Sequence, residues 1–194
     1  MVNQELNPKE VAAHEVLLSV LAKSNGLVHS TKLVKLVYLV DYLHFQHYGC
    51  TMTGFQYMWD HFGPNALGHA IVAEVQELVR AGKAITECNP NIYGGQTIDF
   101  GVAREVAVPR LPDHAEMIVD DVIRKFDQMS VEEITEYSKQ TEPFKNAKRY
   151  GLLSMSQSAP AQQGRDDEWA KHSREVDGSG LRSLEEIKEK FGVA

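Results

Sequence analysis

The sequence predicts a mainly helical α+β fold: a compact helical domain with one small antiparallel β-hairpin, then a flexible linker and a C-terminal amphipathic helix. Three observations carry this. Apolar residues recur at helical spacing between recognisable start and stop signals. Two short strand-like runs flank a loop rich in turn residues. The composition then shifts to Ser, Gln, Ala, Gly and Pro beyond Gly151. With 194 residues, 43% of them hydrophobic, the chain can bury one core of ordinary size with an appendage left over. The expected organisation is a domain over 1–150, a linker over 151–167 and a tail over 168–194.

The first helix is announced by Asn7 as N-cap, Pro8 at the first helical position and Glu10 placed to return a bond to the cap. Val11, Leu17, Leu18 and Leu21 form its apolar stripe, and Gly26 ends it. A second helix runs from Ser30 to Tyr48 and stops at Gly49. It is apolar around most of its circumference, which predicts the central helix of the domain. Its early lysines, Lys32 and Lys35, are three apart and share a face.

Between Thr51 and His61 the aromatics Phe55, Tyr57 and Trp59 roughly alternate, as in an extended segment. Gly63-Pro64-Asn65 then reads as the opening of a third helix, with Leu67, Ile71, Val75, Leu78 and Val79 inward and Gly82 closing it. Ala84 to Glu87 and Ile98 to Val102 read as strands joined by a loop from Asn89 to Gly95, an arrangement like a wing. A fourth helix spans about Asp113 to Met129, with Met117, Ile118, Val122 and Phe126 inward. Ser130 caps a fifth, Glu133 completes its capping box, and Pro143 ends or bends it. The linker has few large apolar groups to offset the entropy of ordering. Beyond it, Ser183 to Glu186 forms a last capping box, and Leu184, Ile187 and Phe191 give a short amphipathic helix that needs a surface to lie on.

The net charge of −7 is unevenly placed. From Asp113 to Glu142, nine carboxylates (Asp113, Glu116, Asp120, Asp121, Asp127, Glu132, Glu133, Glu136, Glu142) stand against three cations (Arg124, Lys125, Lys139). Such a segment repels a phosphate backbone and attracts a basic protein surface, although a charge run also serves solubility alone. No apolar run is long enough to span a membrane and residues 1–8 lack a signal-peptide pattern, so a cytoplasmic location is expected. Cys50 and Cys88, the two cysteines, form no CxxC and read as buried or half-buried thiols in a reducing compartment.

No catalytic constellation is visible: Cys50 and the serines lie outside any nucleophile elbow, and Gly94-Gly95 makes no phosphate loop. An enzyme is therefore not expected. His44, His47, His61 and His69 are a conceivable zinc set, but no carboxylate joins them at a recognised spacing. Neither a metal nor a cofactor is expected. Phe55, Tyr57, Trp59 and Phe62 suit a binding hot spot, with core packing favoured. A winged helix-turn-helix is the runner-up, yet the third helix carries Glu74 and Glu77 and no cation from Pro64 to Val79. DNA autoregulation through Lys145, Lys148 and Arg149 stays open as a secondary activity.

Three sequence features resemble the Panacea domain of SocA-like antitoxins. One is Lys32-Leu33-Val34-Lys35-Leu36-Val37-Tyr38 followed ten residues later by Tyr48-Gly49. Another is His61-Phe62-Gly63-Pro64 after Trp59. The third runs from Ile134 to Glu142-Pro143-Phe144, with phenylalanine where the family often has tryptophan. The resemblance covers about Gly26 to Lys148. It implies an antitoxin that silences a cognate toxin by direct contact in a bacterial toxin–antitoxin system, and, for at least one SocA-like member, delivery of the toxin to a Clp-type protease. A prophage-associated interaction protein without a toxin partner is the remaining alternative. Combined with the residue reading, toxin contact is expected at Glu132, Glu133 and Glu136 and at Leu184, Ile187 and Phe191 of the tail.

Overall fold

A computed structural model describes residues 11–90 and 95–157, and it is the α+β domain that the sequence predicts. Its axis is helix α2, Ser30–Tyr48. His29 caps the helix through its own ring, Nδ1 accepting from the Thr31 N–H at 3.1 Å. Gly49 ends it in the left-handed region at φ 74°, a conformation that glycine adopts at little cost. Leu33, Leu36, Val37, Tyr38, Leu39 and Val40 are all buried. Helices α1 (Ala13–Lys23), α3 (Ala70–Arg80), α4 (Asp113–Phe126) and α5 (Val131–Lys139) pack around it.

Four polar side chains interrupt this apolar helix at every third position, and each ties down a segment outside the helix. Lys35 donates to the Pro64 carbonyl at 2.7 Å. Tyr38 Oη and Thr141 Oγ1 share a hydrogen bond of 2.5 Å. Asp41, fully buried, accepts from the Met52 and Thr53 N–H groups at 2.8 Å each, from the Thr53 hydroxyl and from Tyr57 Oη at 2.7 Å. His44 Nδ1 donates to the Cys50 carbonyl at 2.7 Å. Spacing by three follows one of the ridges of a helix surface, so the polar groups form a stripe within a helix otherwise given to the core.

Strand β1 (Val28–His29) pairs antiparallel with β5 (Gln96–Val102), which pairs with β4 (Ala84–Pro90), giving the order β1-β5-β4. The expected hairpin is present and longer than predicted, and β1 is an addition too short to show periodicity. A second hairpin joins β2 (Tyr57–Met58) to β3 (Asn65–Ala66). It displaces the start of the third helix. Asn65 and Ala66 are consumed by the hairpin, and Gly68 and His69 have φ of 63° and 57°, so a 3-10 turn over Leu67–His69 precedes α3, which starts only at Ala70.

Other expectations are corrected in the same local way. Helix α1 begins at Ala13, because Val11 is buried ahead of it and Ala12 is extended at ψ 131°; the cap residues Asn7, Pro8 and Glu10 lie outside the described residues. Met117 is 53% exposed, since the inward stripe of α4 is Ala115, Ile118, Val119, Val122 and Phe126. Cys50 and Cys88 are exposed rather than buried: one follows the end of α2, and the other lies on β4, whose side chains after Ala84 all face solvent. Pro143 starts a helix instead of ending one. Thr141 is extended at ψ 144°, and the proline sits in the first turn of α6 (Glu142–Asn146), where its missing N–H has no helical partner to lose.

The first residues assigned to the linker are docked. Trp59 N–H donates to the Gly151 carbonyl and Leu153 N–H to that of Tyr57, both at 2.8 Å, Leu152 bridges Met58, and Met155 is buried. The remaining linker, and the tail with the helix expected in it, lie outside the described residues. No helix among the described residues is long and apolar enough to cross a membrane.

Replacing Asp41 with alanine strands four donors in the core. Equilibrium denaturation is expected to show a loss of about 3 kcal/mol or more, against about 1 kcal/mol for Tyr38→Phe, which removes one hydrogen bond with little change of shape.

Candidate functional site

A cleft of about 640 Å³ opens between the start of α2, the turn from Asp60 to Asn65, the entry to α3 and one face of α5. Val34, Val72 and Val131 provide apolar walls, and Phe62, 74% exposed, stands at the rim. The carboxylates of Asp60, Glu132 and Glu136 also line it, as do Lys35 and Lys139. The surface is therefore apolar inside and mostly acidic outside, a pattern suited to a partner that offers an apolar anchor beside a cation.

The turn that forms one wall is locked by chemistry legible in Gly63-Pro64. Gly63 is buried at φ 82°, and a Cβ there would stand 2.9 Å from Ser138 Oγ on α5 and 3.4 Å from Lys35 Cε. Only glycine satisfies both the backbone conformation and the space. The Pro64 carbonyl then receives the Lys35 ammonium. Burial pushes the Lys35 amine down to about 8; Asp60 pulls it back up and Lys139 adds to the lowering.

The motif residues thus converge in space, chiefly as scaffold. Leu33 and Leu36 are core, Tyr38 holds Thr141, and Tyr48-Gly49 ends α2. Lys32 reaches Asp127 at the end of α4, donating to its carbonyl and lying 3.9 Å from its carboxylate. Trp59 stacks on Phe144, with ring centroids 5.4 Å apart. His61 Nε2 accepts from Arg149 Nη2 at 2.9 Å and lies 2.8 Å from Tyr150 Oη. The aromatic set therefore splits: Tyr57 is core, Phe55 and Trp59 are partly buried, and Phe62 is open.

The acidic run splits as well. Glu116 and Asp120 pair with Lys23 of α1 at 2.7 and 2.5 Å, and Asp121 pairs with Arg124, so much of α4 is neutralised at home. On α5, Glu133 is spent on the predicted capping box, accepting from Ser130 N–H at 2.8 Å. Glu132 and Glu136 line the cleft, with Glu136 2.6 Å from Lys139. Leu184, Ile187 and Phe191 lie outside the described residues. Of the histidines, His44 is buried and bonded to Cys50, His61 belongs to the Arg149 cluster, and His69 lines the cleft.

Sequence reasoning missed Asp60, Thr135, Lys139 and Val72 as cleft residues, and Asp41 as the anchor of the loop after α2. The signal for Asp41 was present, since a carboxylate inside an apolar helical run must find donors. Asp60 and Val72 come from separate elements with no shared spacing, whereas Thr135 and Lys139 lie on the same α5 face as Glu132 and Glu136.

A sequence model of the family described as "Antitoxin SocA-like, Panacea domain" matches residues 33–145, more than half the chain. No curated protein and no solved structure matches it.

The buried amine has a pH signature. Unfolded, Lys35 keeps its proton up to about 10.5; folded, only up to about 8. In that interval the unfolded chain binds more protons, so stability contributed at Lys35 rises with pH. Relative to Lys35→Met, the parent chain should gain about 3 kcal/mol between pH 7 and 11, read from paired denaturant titrations; parallel pH profiles would show that Lys35 is solvated.

Proposed function

The chain belongs to the family of SocA-like antitoxins with a Panacea domain, and from that membership we propose that it neutralises a cognate toxin by direct protein contact, using the cleft between α2 and α5. The observation that carries the choice of surface is the meeting of exposed Phe62, the valine walls and the carboxylates of Glu132 and Glu136 in one concavity. Aromatic anchors beside charges dominate the energetics of protein interfaces. Glu133 contributes by holding α5 in place rather than by facing the toxin.

The tail supplies a second contact in this proposal. Leu184, Ile187 and Phe191 at helical spacing suit a helix that lies in a partner's groove. Delivery of the bound toxin to a Clp-type protease is a further role of the same encounter, with a cytoplasmic site of action. DNA binding finds less support: α3 exposes Glu77, and its terminal Arg80 is paired with that same carboxylate.

The test is growth rescue in cells expressing the toxin encoded beside this chain. The full chain should restore growth. Glu132→Lys combined with Glu136→Lys should fail to do so while keeping its melting temperature. A chain ending at Gln157, which retains the docked segment, should protect at least tenfold less well if the tail contributes; full protection removes the tail from the account. Toxin half-life, followed after translation is stopped, should shorten in the presence of the chain if it acts as an adaptor, and stay unchanged if it only occludes.

A further inference from the structure

We propose that the face combining the cleft rim with the neighbouring Trp59–Arg149 cluster is self-complementary and docks against a second copy of this chain. The cluster is cationic and aromatic. Arg149 lies over the rings of Tyr150 and Trp59, at 5.0 and 5.9 Å from their centroids, and donates to His61. Tyr150 is 57% exposed and held at φ 60°, a left-handed conformation that a bulky residue adopts only when its surroundings impose it. Lys145, Lys148 and Arg149 are exposed, and among the described residues no carboxylate lies within ion-pair distance of them.

The anionic half is next door. His61 belongs to the cluster, while its sequence neighbours Asp60 and Phe62 line the cleft that carries Glu132 and Glu136. Glu132 is exposed and makes no ion pair among the described residues. Exposed Tyr150 and Arg149 and partly buried Trp59, residue types that dominate binding hot spots, thus lie beside a concavity in which Asp60 and Glu132 make no ion pair among the described residues, Glu136 is held by Lys139, and Phe62 protrudes. Turned by a two-fold axis, such a face sets cations on carboxylates twice, which is the requirement of an isologous interface. A nucleic acid suits it less well, because three cations on a chain of net charge −7 sit in a field that repels a polyanion.

Docking of this kind covers the cleft, so a second copy and a toxin exclude each other; that consequence alone rests on the proposed function. The interface itself is tested without any toxin. Sedimentation velocity on the full chain, from about 5 to 200 μM at low salt, should show a concentration-dependent dimer that weakens as salt screens the charges. Arg149→Glu and Glu132→Arg should each raise the dimer dissociation constant at least about tenfold, because each creates two like-charge contacts. The double variant, with the charges exchanged, should return to within about threefold of the parent. A monomer throughout the range, single variants that dimerise like the parent, or a double variant no better than either single one would each overturn the proposal, and would leave the toxin reading untouched.

Discussion

The bond from the Lys35 ammonium to the Pro64 carbonyl is the constraint on which the cleft depends. A lysine in the wall of an apolar core costs free energy unless something receives it. Here the receiver is the backbone of the turn that leads into β3. The turn is thereby fixed against α2 on one side and against α5 on the other, where Gly63 leaves just enough space for Ser138. Asp60 and Phe62 on one rim take their places from that contact, facing Glu132 and Glu136 on α5. Lysine, glycine and proline at 35, 63 and 64 are thus one structural unit, although they lie far apart in the chain.

Around that unit the domain follows a simple division of labour. Leucines and valines of α2 fill the core, while the polar stripe at positions 35, 38, 41 and 44 assigns each surrounding loop to a level along the helix. The stripe explains why α2 can be both the most buried helix and the organiser of polar contacts. It also separates roles that a sequence motif runs together: Leu33, Leu36 and Tyr38 are core, Lys35, Gly63 and Pro64 fix one wall of the cleft, and Phe62 stands open at its rim.

Much of this was legible in the sequence. The helical periods, the Gly49 stop, the Ser130–Glu133 box and the hairpin after Gly82 all arise from local chemistry, and each is present. The failures share a cause: tertiary contacts overrode local preference. Pro64-Asn65 has the chemistry of a helix start, but the β2–β3 pairing and the Lys35 bond claim those residues first. Residues 151–157 have a linker's composition, yet two backbone bonds and Met155 dock them. Of the cleft, only Glu132, Glu136 and the motif residues were visible, because nothing local relates Asp60 or Val72 to α5.

Three of the stripe's residues have a further property. His44 reaches Cys50, Asp41 reaches Met52 and Tyr57, and Lys35 reaches Pro64, with sequence separations of 6, 11, 16 and 29. These loops are nested, each enclosing the one before. The entropy of closing a loop grows only with the logarithm of its length, and an inner closure shortens the free chain left for the next. Once α2 is helical, the segment from Gly49 to Pro64 can fasten to it like a zip, from the C-terminal end of the helix towards its start, without any single costly closure. The exception is Tyr38 with Thr141, separated by 103 residues: that bond closes a far longer loop and joins the second half of the domain to the first.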